Sequence, residues 1–135
     1  MNRFNWRRLT SDDYPLLVKW WKDWDWPTPP TIEMLPANAV LVYNEETGLP
    51  LYAGFLYETG TILGWVEFIV SNKDAAPSEK RGGLEYLIEV IGVIAKDRGI
   101  TKLFTSTLIP SFVQSLKKAG FWVGDTGMTQ LIKPL

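Results

Sequence analysis

The sequence predicts an α/β domain on a mixed sheet of six or seven strands, with a central helix after the fourth strand. Three observations point there. Strand-like segments separated by short turn-rich spacers fill the middle of the chain, a long helical apolar stripe follows, and short β-rich pieces flank a second helix behind it. With 135 residues, 46% of them hydrophobic, one domain can bury a core without a metal or disulfide staple.

Residues 4–9 read as a first strand. Thr10 or Ser11 followed by Asp12 and Asp13 is a helix start, because short polar side chains cap free amides and acidic groups favour the positive end of the helix dipole. The helix over 12–24 carries Leu16, Leu17, Trp20, Trp21 and Trp24 at three- and four-residue steps, which gives it a broad apolar face. The prolines at 27, 29 and 30 stop it. Strands are expected over 39–43, 51–57 and 62–71, because the spacers at 44–48 and 58–61 carry turn chemistry and make an antiparallel meander. Leu84, Leu87, Ile88, Ile91, Ile94 and Ala95 then trace one face of a helix over 81–98, and Gly99 stops it. A strand over 102–107, a helix over 111–119 closed by Gly120, and strands at 121–123 and 130–133 complete the order.

The 14 basic and 15 acidic residues give a formal charge of -1, so the chain lacks the broad positive surface that non-specific nucleic-acid binding needs. Cysteine and histidine are both absent. Thiolate nucleophiles, imidazole bases and the usual zinc ligands are thereby excluded, no metal site is expected, and chemistry must run on carboxylates, hydroxyls, phenols, amines or backbone groups. The first residues turn polar at once and no apolar stretch approaches the ~20 residues of a membrane span, so a cytoplasmic protein without membrane contact is expected.

Three segments in the second half carry a family resemblance. The run Glu79-Lys80-Arg81-Gly82-Gly83-Leu84-Glu85-Tyr86-Leu87 looks like the pyrophosphate loop of the GNAT superfamily of acyl-coenzyme A-dependent N-acetyltransferases. Residues 95–103 resemble that family's exit from the central helix into the fifth strand, and Leu116-Lys117-Lys118-Ala119-Gly120-Phe121 is similar to the ending of its last helix. The segment order extends the likeness to most of the chain. Compact members with departures from the motifs resemble those carried by bacteriophages.

The resemblance implies a GNAT-like acyltransferase domain over residues 1–135 that moves an acetyl group from acetyl-CoA, as cosubstrate, to a primary amine on a small molecule or protein. A homodimer is compatible with it. It also implies coenzyme contacts from Phe68, Ile69 and Val70 of the fourth strand, whose amides would polarise the thioester, and from Arg81, Gly82, Gly83 and Leu84. Glycines there would let backbone amides approach a diphosphate, and Arg81 would add a cation. The strands over 62–71 and 102–107 should be adjacent, parallel and splayed at their C-terminal ends.

Glu67 is the candidate catalytic base. It lies inside the apolar run Trp65-Val66-Glu67-Phe68-Ile69, the setting in which desolvation tunes a carboxylate for proton transfer. A half-exposed sheet glutamate, or one paired with an arginine, fits the same pattern. The family's tyrosine acid aligns with Leu116, which cannot donate a proton; Tyr43, Tyr52, Tyr57 and Tyr86 remain substitutes, each with a packing role as alternative. Trp20, Trp21 and Trp24 read as core at helical spacing. Trp24 and Trp26 are the candidates for lining an acceptor pocket, with Trp26 the expected exception to burial because it lies beyond the periodic stretch, and Asp23 and Asp25 would suit a cationic amine. A GNAT-shaped binding protein that has lost transfer chemistry, acting on a host component, is the alternative function.

Overall fold

A computed structural model describes residues 2–135. Five strands, β1 (Phe4–Arg8), β2 (Ala39–Asn44), β3 (Pro50–Glu58), β4 (Leu63–Ser71) and β5 (Lys102–Phe104), form one sheet in the order β1-β2-β3-β4-β5. The first four pair antiparallel, and β4 pairs with β5 in parallel. Helix α1 (Tyr14–Asp23) lies on one face; α3 (Gly83–Asp97) and α4 (Pro110–Lys118) lie on the other, with a single turn, α2 (Pro77–Lys80), leading into α3.

The sheet has five strands where the sequence predicts six or seven. The expected strands at 121–123 and 130–133 are irregular chain, with Trp122, Leu131 and Ile132 exposed. Short apolar runs form a strand only where a face can be buried, and among the described residues no strand pairs with these. The first helix begins later than its spacing suggests, because Ser11–Asp13 form a separate 3-10 turn. Asp13 explains this: its carboxylate accepts the Thr10 amide at 2.8 Å and both Arg7 guanidinium nitrogens, at 2.7 and 2.9 Å.

Leu84, Leu87, Ile88, Ile91 and Ile94 of α3 pack with Val40, Val42, Leu56 and Val66 in the main core. The helix sits close to the sheet because Gly54 leaves room: a Cβ there would meet Leu87 Cδ2 at 3.0 Å. Leu17, Trp20 and Trp21 of α1 pack with Leu41, Ala53, Phe55 and Val70 on the opposite face.

Candidate functional site

The site is built around an irregularity in β4. Between β3 and β4 the register runs Ala53 opposite Val70, then Phe55 opposite Glu67, so two steps on β3 face three on β4. The extra residue is a β-bulge, and Phe68 takes φ 58 to make it. A bulky residue at positive φ is strained, and it persists here because its surroundings hold it. The Trp21 indole N–H donates to the Phe68 carbonyl at 3.3 Å, and the Phe68 ring packs among Trp21, Trp26 and Tyr57 at centroid distances of 6.2 to 6.4 Å.

The same stretch loses its other neighbour. Pairing with β5 covers only Leu63–Lys102, Gly64–Leu103 and Trp65–Phe104. The Thr105 hydroxyl then donates to the Val66 carbonyl at 2.8 Å, and β4 continues to Ser71 without a β5 partner. The expected adjacent parallel pair is therefore present, but β5 stops at Phe104 where the sequence predicts a strand to 107, and the bulge lies three residues beyond Trp65, the last position of β4 in that ladder. Beyond the end of the ladder, that edge of β4 keeps backbone groups that a longer β5 would have paired.

Glu67 stands at this point. It is half-buried, its Oε2 accepts the Trp65 indole N–H at 2.8 Å, and its Oε1 lies 3.4 Å from the Phe68 amide. Among the described residues no cation forms a salt bridge with it, which removes the arginine-paired alternative. Tyr57 shares this face; its hydroxyl donates to the Met34 carbonyl at 2.7 Å, and burial, with the Glu67 charge nearby, pushes its pKa up to about 12. The phenol is protonated at neutral pH with its proton already engaged. Tyr52 packs on the α3 side, where burial also raises it to about 12. Leu116, at the position of the expected acid, is a buried core residue.

The residues expected to bind diphosphate are arranged differently from the simple cradle. Gly82 takes φ 84 and caps α3, as a glycine at a tight turn would. The missing side chain of Gly83 leaves room for the Tyr52 ring: a Cβ there would lie 2.7 Å from Tyr52 Cε2. Leu84 is buried in the core, while Arg81 is exposed and lines a shallow cleft with Asn2, Ser78, Gly82 and Glu85 beside the start of β1. Glu67 does not line that cleft.

The tryptophans divide in an unexpected way. Trp20 and Trp21 are core, at 1% and 0% exposure, and Trp26 is half-buried against Trp21. Of the four clustered tryptophans the exposed one is Trp24, at 41%, and not Trp26 as the spacing suggests. It ends α1, its indole N–H donates to the Ser71 carbonyl at 2.8 Å, and the ammonium groups of Lys73 and Lys80 lie 5.0 and 5.4 Å from its ring centre. This cluster joins residues far apart in sequence, and no spacing rule announces it. Asp23, a sequence candidate for gripping a cationic amine, is paired with Lys19 at 2.6 Å.

No protein-family model and no curated protein matches the sequence. Solved structures do match the fold. N-acetylglutamate synthase from Neisseria gonorrhoeae, solved with coenzyme A and L-arginine, superposes on 93% of this chain with a TM-score of 0.69 at 17% identity, and this chain spans 28% of that protein's length. An acetyltransferase from Trypanosoma brucei is similar over 96% of this chain and 100% of its own, with a TM-score of 0.68 at 17% identity. An aminoglycoside 6'-N-acetyltransferase from Acinetobacter baumannii covers 98% of this chain and 99% of its own, with a TM-score of 0.64 at 15% identity. The chain thus has the fold of the GNAT acetyltransferases.

Proposed function

We propose, from the premise of that fold, that the chain transfers an acetyl group from acetyl-CoA to a primary amine at the opening between β4 and β5. The observation that carries this reading is the coincidence of three features on β4: the end of the β5 ladder at Trp65, the bulge at Phe68, and the half-buried, cation-free Glu67 beside them. In this reading the opening admits the thioester arm of the coenzyme. Backbone amides at Phe68, Ile69 and Val70 polarise its carbonyl, and Glu67, directly or through a water, takes the proton that the attacking amine must lose. The start of α3 at Gly82 offers its amides and dipole to the diphosphate, with Arg81 at the rim. Transfer forms the amide C–N bond and breaks the thioester C–S bond, and the coenzyme leaves as thiolate, protonated from solvent.

Replacing Glu67 with glutamine tests the reading. Acetyl-CoA should raise the melting temperature of both proteins, since a ligand bound only by the folded state stabilises it. Transfer to an amine panel should fall roughly 100-fold or more in the variant, the scale for losing a positioned base. An equal rate in the two proteins removes Glu67 from the mechanism. A non-catalytic binding protein on the same fold is favoured by one observation, the burial of Leu116 where a proton donor is expected. Acetyl-CoA binding without transfer to any amine would select it.

A further inference from the structure

We propose that the stacked rings of Trp65 and Phe104, beside Glu67, bind the amine acceptor, and that this acceptor is a small amine carrying an aromatic ring. Its role as acceptor rests on the acetyltransferase reading; the binding of such an amine does not.

Two ladders put these groups on one face of the sheet. Tyr57 lies opposite Trp65 across β3 and β4, and Trp65 lies opposite Phe104 across β4 and β5. Residues paired in this way point their side chains to the same side, and so does Glu67, two positions along β4. The Trp65 indole N–H reaches the Glu67 carboxylate at 2.8 Å, so the two side chains meet. Phe55, opposite Glu67, packs in the α1 core, so this is the face that α1 covers over β2 and β3. Trp65 and Phe104 lie outside both hydrophobic cores. Their rings stack at 5.7 Å with 27° between the planes, and Phe104 is 50% exposed.

A lone exposed ring needs no partner to explain it. Here two rings that fill no core are held together next to a carboxylate that no cation pairs among the described residues. A flat apolar surface beside a negative group matches an ammonium joined to an aromatic ring. Glu67 lies two residues beyond Trp65, about 7 Å at the rise of a strand, and a two-carbon link from ring to amine spans that offset with the side chains' own reach. The hydroxyls flanking the rings are already engaged as donors, Tyr57 to the Met34 carbonyl at 2.7 Å and Thr105 to the Val66 carbonyl at 2.8 Å. A sugar or other polyhydroxylated amine would surrender hydrogen bonds to water here that these groups cannot return. An aromatic ring surrenders none.

The test is calorimetric titration with 2-phenylethylamine and with 2-cyclohexylethylamine, which has the same charge and carbon count but no flat ring. Both are titrated with and without saturating coenzyme A. The wild type should bind the aromatic amine at least about threefold more tightly, the scale of one aromatic pair. Phe104→Leu, which keeps an apolar side chain, should bind the two alike. Phe104→Thr, another strand former, replaces that variant if its melting curve shows it unfolded. No binding of the aromatic amine to the wild type in either condition, no preference for it, or a preference that the variant keeps, overturns the site. With acetyl-CoA saturating, the wild type should show a lower KM for the aromatic amine than for its cyclohexyl counterpart, and the variant should erase that difference. Equal KM values in a wild type that acetylates both amines overturn the acceptor assignment. Acetylation of neither, with ring-dependent binding intact, counts against the acetyltransferase reading alone.

Discussion

On the α3 face the sheet is covered by Leu84, Leu87, Ile88, Ile91 and Ile94, whereas on the α1 face it is covered by Trp20 and Trp21, with Phe55, Phe68 and Trp26 around them. The aliphatic face is held by contact alone: among the described residues no side chain of α3 hydrogen-bonds to the sheet. The aromatic face adds directional ties, since Trp21 and Trp24 each donate an indole N–H to a β4 carbonyl, one at the bulge and one at the strand's end. Non-directional burial stabilises any backbone that keeps the volume filled. A bond to one carbonyl specifies where that carbonyl must be. The α3 face thus supplies stability, and the α1 face sets the shape of the strand that carries Glu67.

The largest effect expected from breaking this contrast lies on the aliphatic side. Leu87 is fully buried against Gly54, so Leu87→Ala should cost about 2–5 kcal/mol in urea unfolding, with transfer by the remaining folded protein little changed. Next is Gly83→Val, where the new side chain must displace the buried Tyr52 ring; about 1–3 kcal/mol of destabilisation is expected by the same measurement. That loss of stability makes Gly83 a poor probe of coenzyme binding. Arg81→Ala, at an exposed position, is the cleaner variant there.

Trp21→Phe sharpens the comparison from the other side. It keeps an aromatic ring in the cluster but removes the donor to the Phe68 carbonyl, at about 1 kcal/mol for the bond. Transfer should fall by more than that loss predicts, because the bulge would relax while the core stays filled. A rate that tracks melting temperature alone would return Trp21 to a packing role.

The faces also differ in how much of them could be read in the sequence. The α3 stripe is a period-3.6 pattern ended by Gly99, and it lands within two residues of the observed Gly83–Asp97 helix. The parallel meeting of β4 and β5 followed from segment order and the family likeness. The bulge did not, because a bulge is a mismatch between two strands and neither sequence alone contains it. Trp24 shows the same limit: its spacing puts it on the apolar face of α1, but the helix ends at Asp23, and its ring stays partly exposed while its indole N–H reaches the end of β4. Lys73 reaches it from the turn after β4 and Lys80 from the end of α2, and no local rule could bring the two to one ring. At the C-terminus the short apolar pieces at 121–123 and 130–133 misled, since apolar β-forming residues record a capacity for pairing and not the presence of a partner.

The smallest expected effect separates the faces by pH. Arg7 hydrogen bonds first, then the Thr10 amide and the Arg7 charge, hold the Asp13 pKa down at about 2 against the ordinary 3.8. A carboxylate depressed in the folded state contributes stability that is present above its unfolded pKa and is lost as pH falls through the folded one. Asp13 should therefore support the entry into α1 fully above about pH 4 and progressively less down to about pH 2. Because Arg7 is half-exposed, solvent screening reduces the contribution to about 1 kcal/mol. The melting-temperature difference between the wild type and Asp13→Asn should accordingly hold steady near neutrality and shrink as pH approaches 2, whereas that between the wild type and Leu87→Ala should show no such trend. A deficit of the Asn variant that stays constant to the acid limit would show that the Asp13 charge is not what supports the entry into α1, and would place its role in the uncharged geometry of the 3-10 turn.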